Sequence, residues 1–182
     1  MSGVPQFTQV LQSQKAAGTL FNTYTTAKSV INATELQTLP ANYLTVGSKL
    51  VVEVYGAISN VVTAAPTFTF QLMVGSAIAW SSGAITTNAT ANTLLPFTLK
   101  GNLRVDSIGT STSAKLIGGL NFTCAAMASG STSIVVPVAS PAVGAGFDST
   151  IANIVDLWVG ISASNAGNGV QIYDFDISQK SF

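Results

Sequence analysis

Apolar side chains in this chain recur at every second position, over stretches long enough to dictate backbone geometry. Leu50, Val52, Val54, Gly56 and Ile58 fall on one side of an extended segment, and Lys49, Glu53 and Tyr55 on the other. Phe68, Phe70, Leu72 and Val74 oppose Thr67, Thr69, Gln71 and Met73. Leu95, Phe97, Leu99, Gly101, Leu103 and Val105 form a longer stripe against Thr98, Lys100, Asn102, Arg104 and Asp106. The same rhythm runs through Leu116–Cys124, Ile134–Val138, Val155–Ala163 and Tyr173–Ile177, the last with Asp174 and Asp176 outward. A period of two is the signature of a β-strand with one buried and one exposed face. Strands of that kind belong to antiparallel sheets, because parallel strands are usually buried on both faces.

Turn-forming residues separate the stripes: Ala64-Ala-Pro66, Ser107–Ser113 and Asn165-Ala-Gly-Asn-Gly169. Seven strands at such spacing predict an all-β fold, an antiparallel β-sandwich. Helical periodicity is absent beyond the first 17 residues. Within those, Gln6 to Ala17 is Gln-rich (Gln6, Gln9, Gln12, Gln14) and reads as a short helix or an extended arm. The expected organisation is an N-terminal arm, 1–17, and a single sandwich domain, 18–182. Ala139 to Asn153 reads as a long Gly/Ala/Ser loop carrying Phe147 and Asp148, and long loops in compact domains are often functional.

Composition narrows the chemistry. The chain has no His, one Cys, and seven basic against seven acidic residues. Charged residues are 8% of the total, against roughly 25% in an ordinary globular domain. In their place stand 20 Ser and 21 Thr. No window carries a basic cluster, which argues against nucleic acid as a partner. A net charge of zero removes self-repulsion and favours association between copies. The opening Met1-Ser-Gly-Val-Pro-Gln-Phe7 has no basic start and no apolar run of signal length, so no targeting segment is expected. No apolar run reaches the roughly 18 residues of a membrane-spanning helix, so no membrane partner is expected. Sequons at Asn32, Asn88 and Asn121 match the two or three that chance supplies, roughly, at this content of Asn, Ser and Thr.

Triads built on His are excluded, and GxSxG, GxxxxGK[ST] and GxGxxG patterns are missing. Cys124, flanked by Thr123 and Ala125 without a basic neighbour, reads as a small buried hydrophobe. Zinc needs Cys or His clusters that the chain lacks, and no cofactor is expected. Carboxylates are the remaining option. Asp174 and Asp176 share a strand face about 6.5–7 Å apart, and Asp156 faces outward on the preceding strand. They read first as solvated acids on an exposed face. The other readings are a calcium site and the acid–base pair of a glycosidase.

Large apolar residues on the polar side of the stripes are the better candidates. Tyr55, Met73 and Trp158, with Ile117 and Val135, lie opposite the core faces of their strands. Either the arm or the long loop covers them, or they form a contact patch; Trp and Tyr are frequent interface anchors. Tyr55, Met73, Trp158 and Phe147 are therefore the candidate interface residues. The same aromatics suit a sugar platform, with Trp158 for stacking and Asp156, Asn165 and Asn168 for hydroxyls.

Three runs carry a family resemblance: Ala65-Pro-Thr-Phe-Thr-Phe-Gln-Leu-Met-Val-Gly75, Leu95-Pro-Phe-Thr-Leu-Lys-Gly-Asn-Leu-Arg-Val-Asp-Ser-Ile-Gly109 and Asp156-Leu-Trp-Val-Gly-Ile-Ser-Ala-Ser-Asn-Ala-Gly-Asn-Gly-Val170. Over roughly residues 45 to 178 the chain resembles small virion proteins of tailed phages, the head decoration (cement) proteins and related fibre-tip domains. The resemblance implies a jelly roll, a homotrimer and a seat on the virion, assembled in the host cytoplasm. Its implied partners are the major capsid protein or other virion proteins, and its implied role is structural, with no catalytic residue. The alternatives are a fibre receptor-binding domain and a lectin-like carbohydrate-binding protein.

Overall fold

A computed structural model describes residues 7–61, 66–128, 130, 132–138 and 142–181. All of its regular structure is β: the described residues form fourteen strands in two antiparallel sheets packed as a sandwich. In chain order they are β1 (Phe7–Ser13), β2 (Phe21–Asn22), β3 (Lys28–Ser29), β4 (Gln37–Leu39), β5 (Lys49–Asn60), β6 (Thr67–Val74) and β7 (Ala77–Ser81), then β8 (Ile85–Thr86), β9 (Asn92–Ser107), β10 (Lys115–Cys124), β11 (Ser133–Val136), β12 (Ala142–Val143), β13 (Asn153–Ile161) and β14 (Gly169–Ser181). The larger sheet runs β1-β14-β5-β9-β10-β11, with β2 and β12 attached to β14 and β10. The smaller runs β3-β13-β6-β7, with β4 and β8 attached to β13 and β6. The all-β antiparallel sandwich expected from alternation is the architecture found, and its strand order is compatible with a jelly roll.

The apolar stripes are the inner faces of their strands, with two exceptions: Val138 lies past the end of β11 and is exposed, and Tyr173 falls at the register shift between Ile172 and Asp174, where its ring meets Tyr55 on the outer side. Val52, Val54, Leu99, Leu103, Phe122, Phe175 and Ile177 of the large sheet meet Phe68, Phe70, Leu72, Val155, Leu157 and Val159 of the small one in one buried cluster. At its centre three rings close the gap between the layers. Phe70 of β6 lies 5.2 Å from Phe97 of β9 and 5.6 Å from Phe122 of β10, and the latter two stack at 5.4 Å. Gly56 makes room for them: a Cβ there would sit 2.8 Å from the Phe97 ring and 2.5 Å from the Gln171 carbonyl. Trp80 of β7 is buried among these residues and donates its indole N–H to the Gly118 carbonyl at 3.2 Å, tying the small sheet to the large.

The Gln-rich N-terminal segment is extended. Its residues 7–13 pair with β14 as the edge strand of the large sheet. The pairing is locked by side-chain amides. Gln12 is 1% exposed; its Nε2 donates to the Glu35 carbonyl at 2.9 Å, and its Oε1 accepts from the Gln37 N–H at 2.8 Å. Gln14 donates to the Ala16 carbonyl, and the Tyr43 hydroxyl donates to Gln9 Oε1.

The long loop carries one correction. Phe147, an interface candidate from the sequence, is 3% exposed and belongs to the core, its backbone bridged to Ala114. Phe147 is the segment's one aromatic side chain, and burial in the sandwich end claims it, while Ile151 stays exposed.

Candidate functional site

The two outer faces of the sandwich are dressed in opposite ways. Lys49 and Glu53 on β5, Lys100, Arg104 and Asp106 on β9, Lys115 on β10, and Asp174, Asp176 and Lys180 on β14 all stand on the outer face of the large sheet. That is most of the chain's charge on one surface. Tyr55 is there too, 44% exposed, its ring 5.8 Å from that of Tyr173. The outer face of the small sheet carries Thr67, Thr69, Gln71 and Met73 on β6, Ile78 on β7, and Asp156, Trp158 and Gly160 on β13.

Trp158 and Met73 meet on this second face. A groove of about 670 Å³ is lined by Thr26, Ala27, Gln71, Met73, Gly75, Ser76, Ile78 and Trp158, and no charged side chain lines it. Met73, expected exposed, is only 5% exposed. Its strand is central, and its cross-strand partners Asp156 and Ile78 flank it on both sides. Met73 thus forms the floor and Trp158 a half-buried wall.

Asp156 holds that wall in place. It is 7% exposed, and its carboxylate accepts from the Trp158 indole N–H at 2.6 Å and from the Ser29 hydroxyl at 3.0 Å. Burial pushes its pKa up, and these two donors together with the Leu157 N–H pull it part of the way back. A carboxylate desolvated without a cation is costly, so here that cost is spent on fixing one indole. With its N–H satisfied internally, Trp158 offers the groove a ring face.

The expected grouping of three carboxylates does not form. Asp174 and Asp176 lie on β14 in the large sheet and Asp156 on β13 in the small one. Alternation reports inward or outward, and a sandwich has two outward sides. Among the described residues no three His, Cys, Asp or Glu side chains converge on a point that could hold a metal. The expected sugar set also separates. Asn168 is fully buried, accepting from the Val61 N–H and donating to the Ala163 carbonyl, and Asn165 accepts from the Gly167 N–H. Both asparagines shape the turn between β13 and β14. Tyr55 and Trp158, grouped as one interface from the sequence, stand on opposite faces and serve different surfaces.

Gln71, Ile78 and Ser76 are groove residues that sequence reasoning passed over. Gln71 stood in the β6 pattern as a polar position, whereas Ile78 sits in the short unalternating run Ala77-Ile-Ala-Trp80. No family model, curated protein or solved structure gives a significant match to this chain.

Proposed function

We propose that this chain is a non-enzymatic virion structural protein, a decoration protein that binds a phage head as a homotrimer and stabilises it. The sequence runs resembling head decoration and fibre-tip proteins point to that role, and the antiparallel sandwich agrees with it. The observation that carries the reading is the uncharged groove around Trp158. A docking site on a preassembled shell gains by burying apolar surface that costs little to desolvate, and a fixed indole beside Met73 and Ile78 supplies such surface. Many copies seated on one lattice add up: weak individual contacts acting together resist expansion of the shell.

The groove favours a second reading as well. An indole face with the amide of Gln71 and the hydroxyls of Ser76 and Thr26 suits a neutral sugar ring, as a fibre receptor-binding or lectin-like domain requires.

One experiment separates the two. Heads assembled without the protein are mixed with wild-type chain or with Trp158→Ala, sedimented, and heated. Decoration predicts that wild type cosediments and raises the temperature at which heads release their contents. Trp158→Ala is expected to lose about tenfold or more in head affinity, as the removal of a central aromatic anchor does, while keeping its own fold. Wild type that ignores heads but binds neutral glycans in a Trp158-dependent way overturns decoration in favour of the second reading.

A further inference from the structure

Six glycines lie within the described strands, and the packing of the sandwich accounts for five of them. A Cβ at Gly56, Gly101, Gly118, Gly119 or Gly169 would come within 2.5 to 3.2 Å of a neighbouring strand. Gly160 of β13 is the exception. Its Cβ would meet nothing nearer than Ala27 at 3.5 Å, an ordinary contact, and no left-handed backbone calls for glycine there. A glycine inside a strand weakens it, and it often marks a place where a ligand or another backbone approaches closely. Nothing inside this molecule makes that approach at Gly160.

Gly160 lies in the floor of a trough. The groove at Trp158 continues past Ala27 and Gln71 into a second hollow of about 240 Å³, bounded by Thr25, Thr67, Thr69, Gly160 and Ser162. The two run along β6 and β13 from Met73 to Thr67, about 20 Å at the rise of an extended strand. No charged side chain lines either of them. The Thr67 and Thr69 hydroxyls and the Gln71 amide stand two residues apart on the β6 side, about 6.7 Å from one to the next. None of the three side chains is hydrogen-bonded among the described residues, whereas the Trp158 N–H is spent on Asp156. An extended polypeptide has the same two-residue repeat. Its backbone N–H and C=O groups can meet these side chains in turn while an apolar side chain rests on the indole.

We infer that the trough holds an extended, uncharged segment of the shell protein, its backbone passing over Gly160 and an apolar side chain lying against Trp158. The missing side chain at Gly160 lets that backbone come down beside Thr69, the partner of Gly160 in register on β6. The segment is uncharged because a charged residue would lose its hydration against a lining that offers it no opposite charge. The inference rests on the decoration proposed above and adds the form in which the partner is bound.

Gly160→Thr tests it in cosedimentation with heads assembled without the protein, with circular dichroism confirming the fold. A β-branched residue suits a strand and fills the trough. The variant is expected to unfold at or above the wild-type temperature and yet to lose about tenfold or more in head affinity. Should it fail to fold, Thr69→Val keeps the shape and removes one hydroxyl, with an expected loss of about two- to tenfold. Hydrogen exchange on the shell protein of decorated heads reads the occupant: one contiguous segment is expected to gain backbone protection. Folded variants that bind heads as wild type does, or protection confined to no single segment, overturn the inference and leave decoration standing. Displacement of bound wild type by maltohexaose would put a sugar chain in the trough and overturns it as well. Wild type that ignores heads removes decoration, and the inference with it.

Discussion

At the scale of single residues, Asp156 shows how a buried acid can be spent on orientation. Its raised pKa lies above the value it takes in the unfolded chain, so the folded protein holds that proton more tightly. Stability from this site is therefore fully present below the ordinary carboxylate range and is lost as pH rises through the raised pKa. Asp148 has the opposite sign: hydrogen bonds from Thr150 and from the Ser111 N–H lower its pKa, so its contribution fades as pH falls. The difference between wild type and Asp156→Asn isolates the first effect. Asparagine keeps an acceptor for the indole and removes the desolvated charge. Thermal unfolding from about pH 4 to about pH 7 is expected to show Asp156→Asn gaining on wild type as pH rises. A constant gap across that range would mean that the carboxylate is not desolvated. Alternation correctly gave Trp158 its outward direction. It could not reveal that Asp156 bonds that indole, because a contact between neighbours two apart on one strand depends on rotamers that no periodicity encodes. Cys124 read correctly as a buried residue from its place in the β10 stripe, and burial pushes its thiol up.

At the scale of elements, the long strands were legible and the short ones were not. β5, β6, β9, β10, β13 and β14 each offer at least four alternating positions, enough for the pattern to declare itself. β2, β3, β8 and β12 are two residues long and exist because a neighbouring strand has unpaired backbone groups to satisfy. β7 was missed for another reason: a bulge between Leu72 and Met73 shifts its register against β6, and its residues Ala77-Ile-Ala-Trp80 do not alternate cleanly. The N-terminal strand is the most instructive. Its glutamines looked like the composition of a loose arm, yet Gln12 works as a backbone mimic, joining the edge of the large sheet to the Glu35–Gln37 segment that leads into the small one. Gln12→Ala strands a carbonyl and an N–H at a partly buried site. The expected loss is about 1–3 kcal/mol, read by chemical denaturation, with faster proteolysis near Lys15. A loss within experimental error would mean that β1 is held by its ladder with β14 alone.

For the whole molecule, the question is whether two sheets dressed so differently outside behave as one body inside. The ring cluster of Phe70, Phe97 and Phe122 says that they do, because it draws one ring from the small sheet and two from the large. The tryptophans make this testable. Trp80 is on β7 and Trp158 on β13, both in the small sheet, so indole fluorescence follows that layer, while far-ultraviolet circular dichroism follows both. If the shared core couples the layers, the two signals trace one denaturation curve, as single domains of this size usually do. Phe97→Ala then moves both midpoints together, at a cost of about 3–5 kcal/mol for an aromatic removed from a packed core. The substitution lies on β9 of the large sheet, on the core side, whereas Trp158 stands on the outer face of the small sheet, so a matching shift in Trp158 fluorescence, read in a Trp80→Phe background, is transmitted through the core. Separate midpoints in wild type, or a Phe97→Ala shift seen by dichroism and not by fluorescence, would mean that the layers unfold independently.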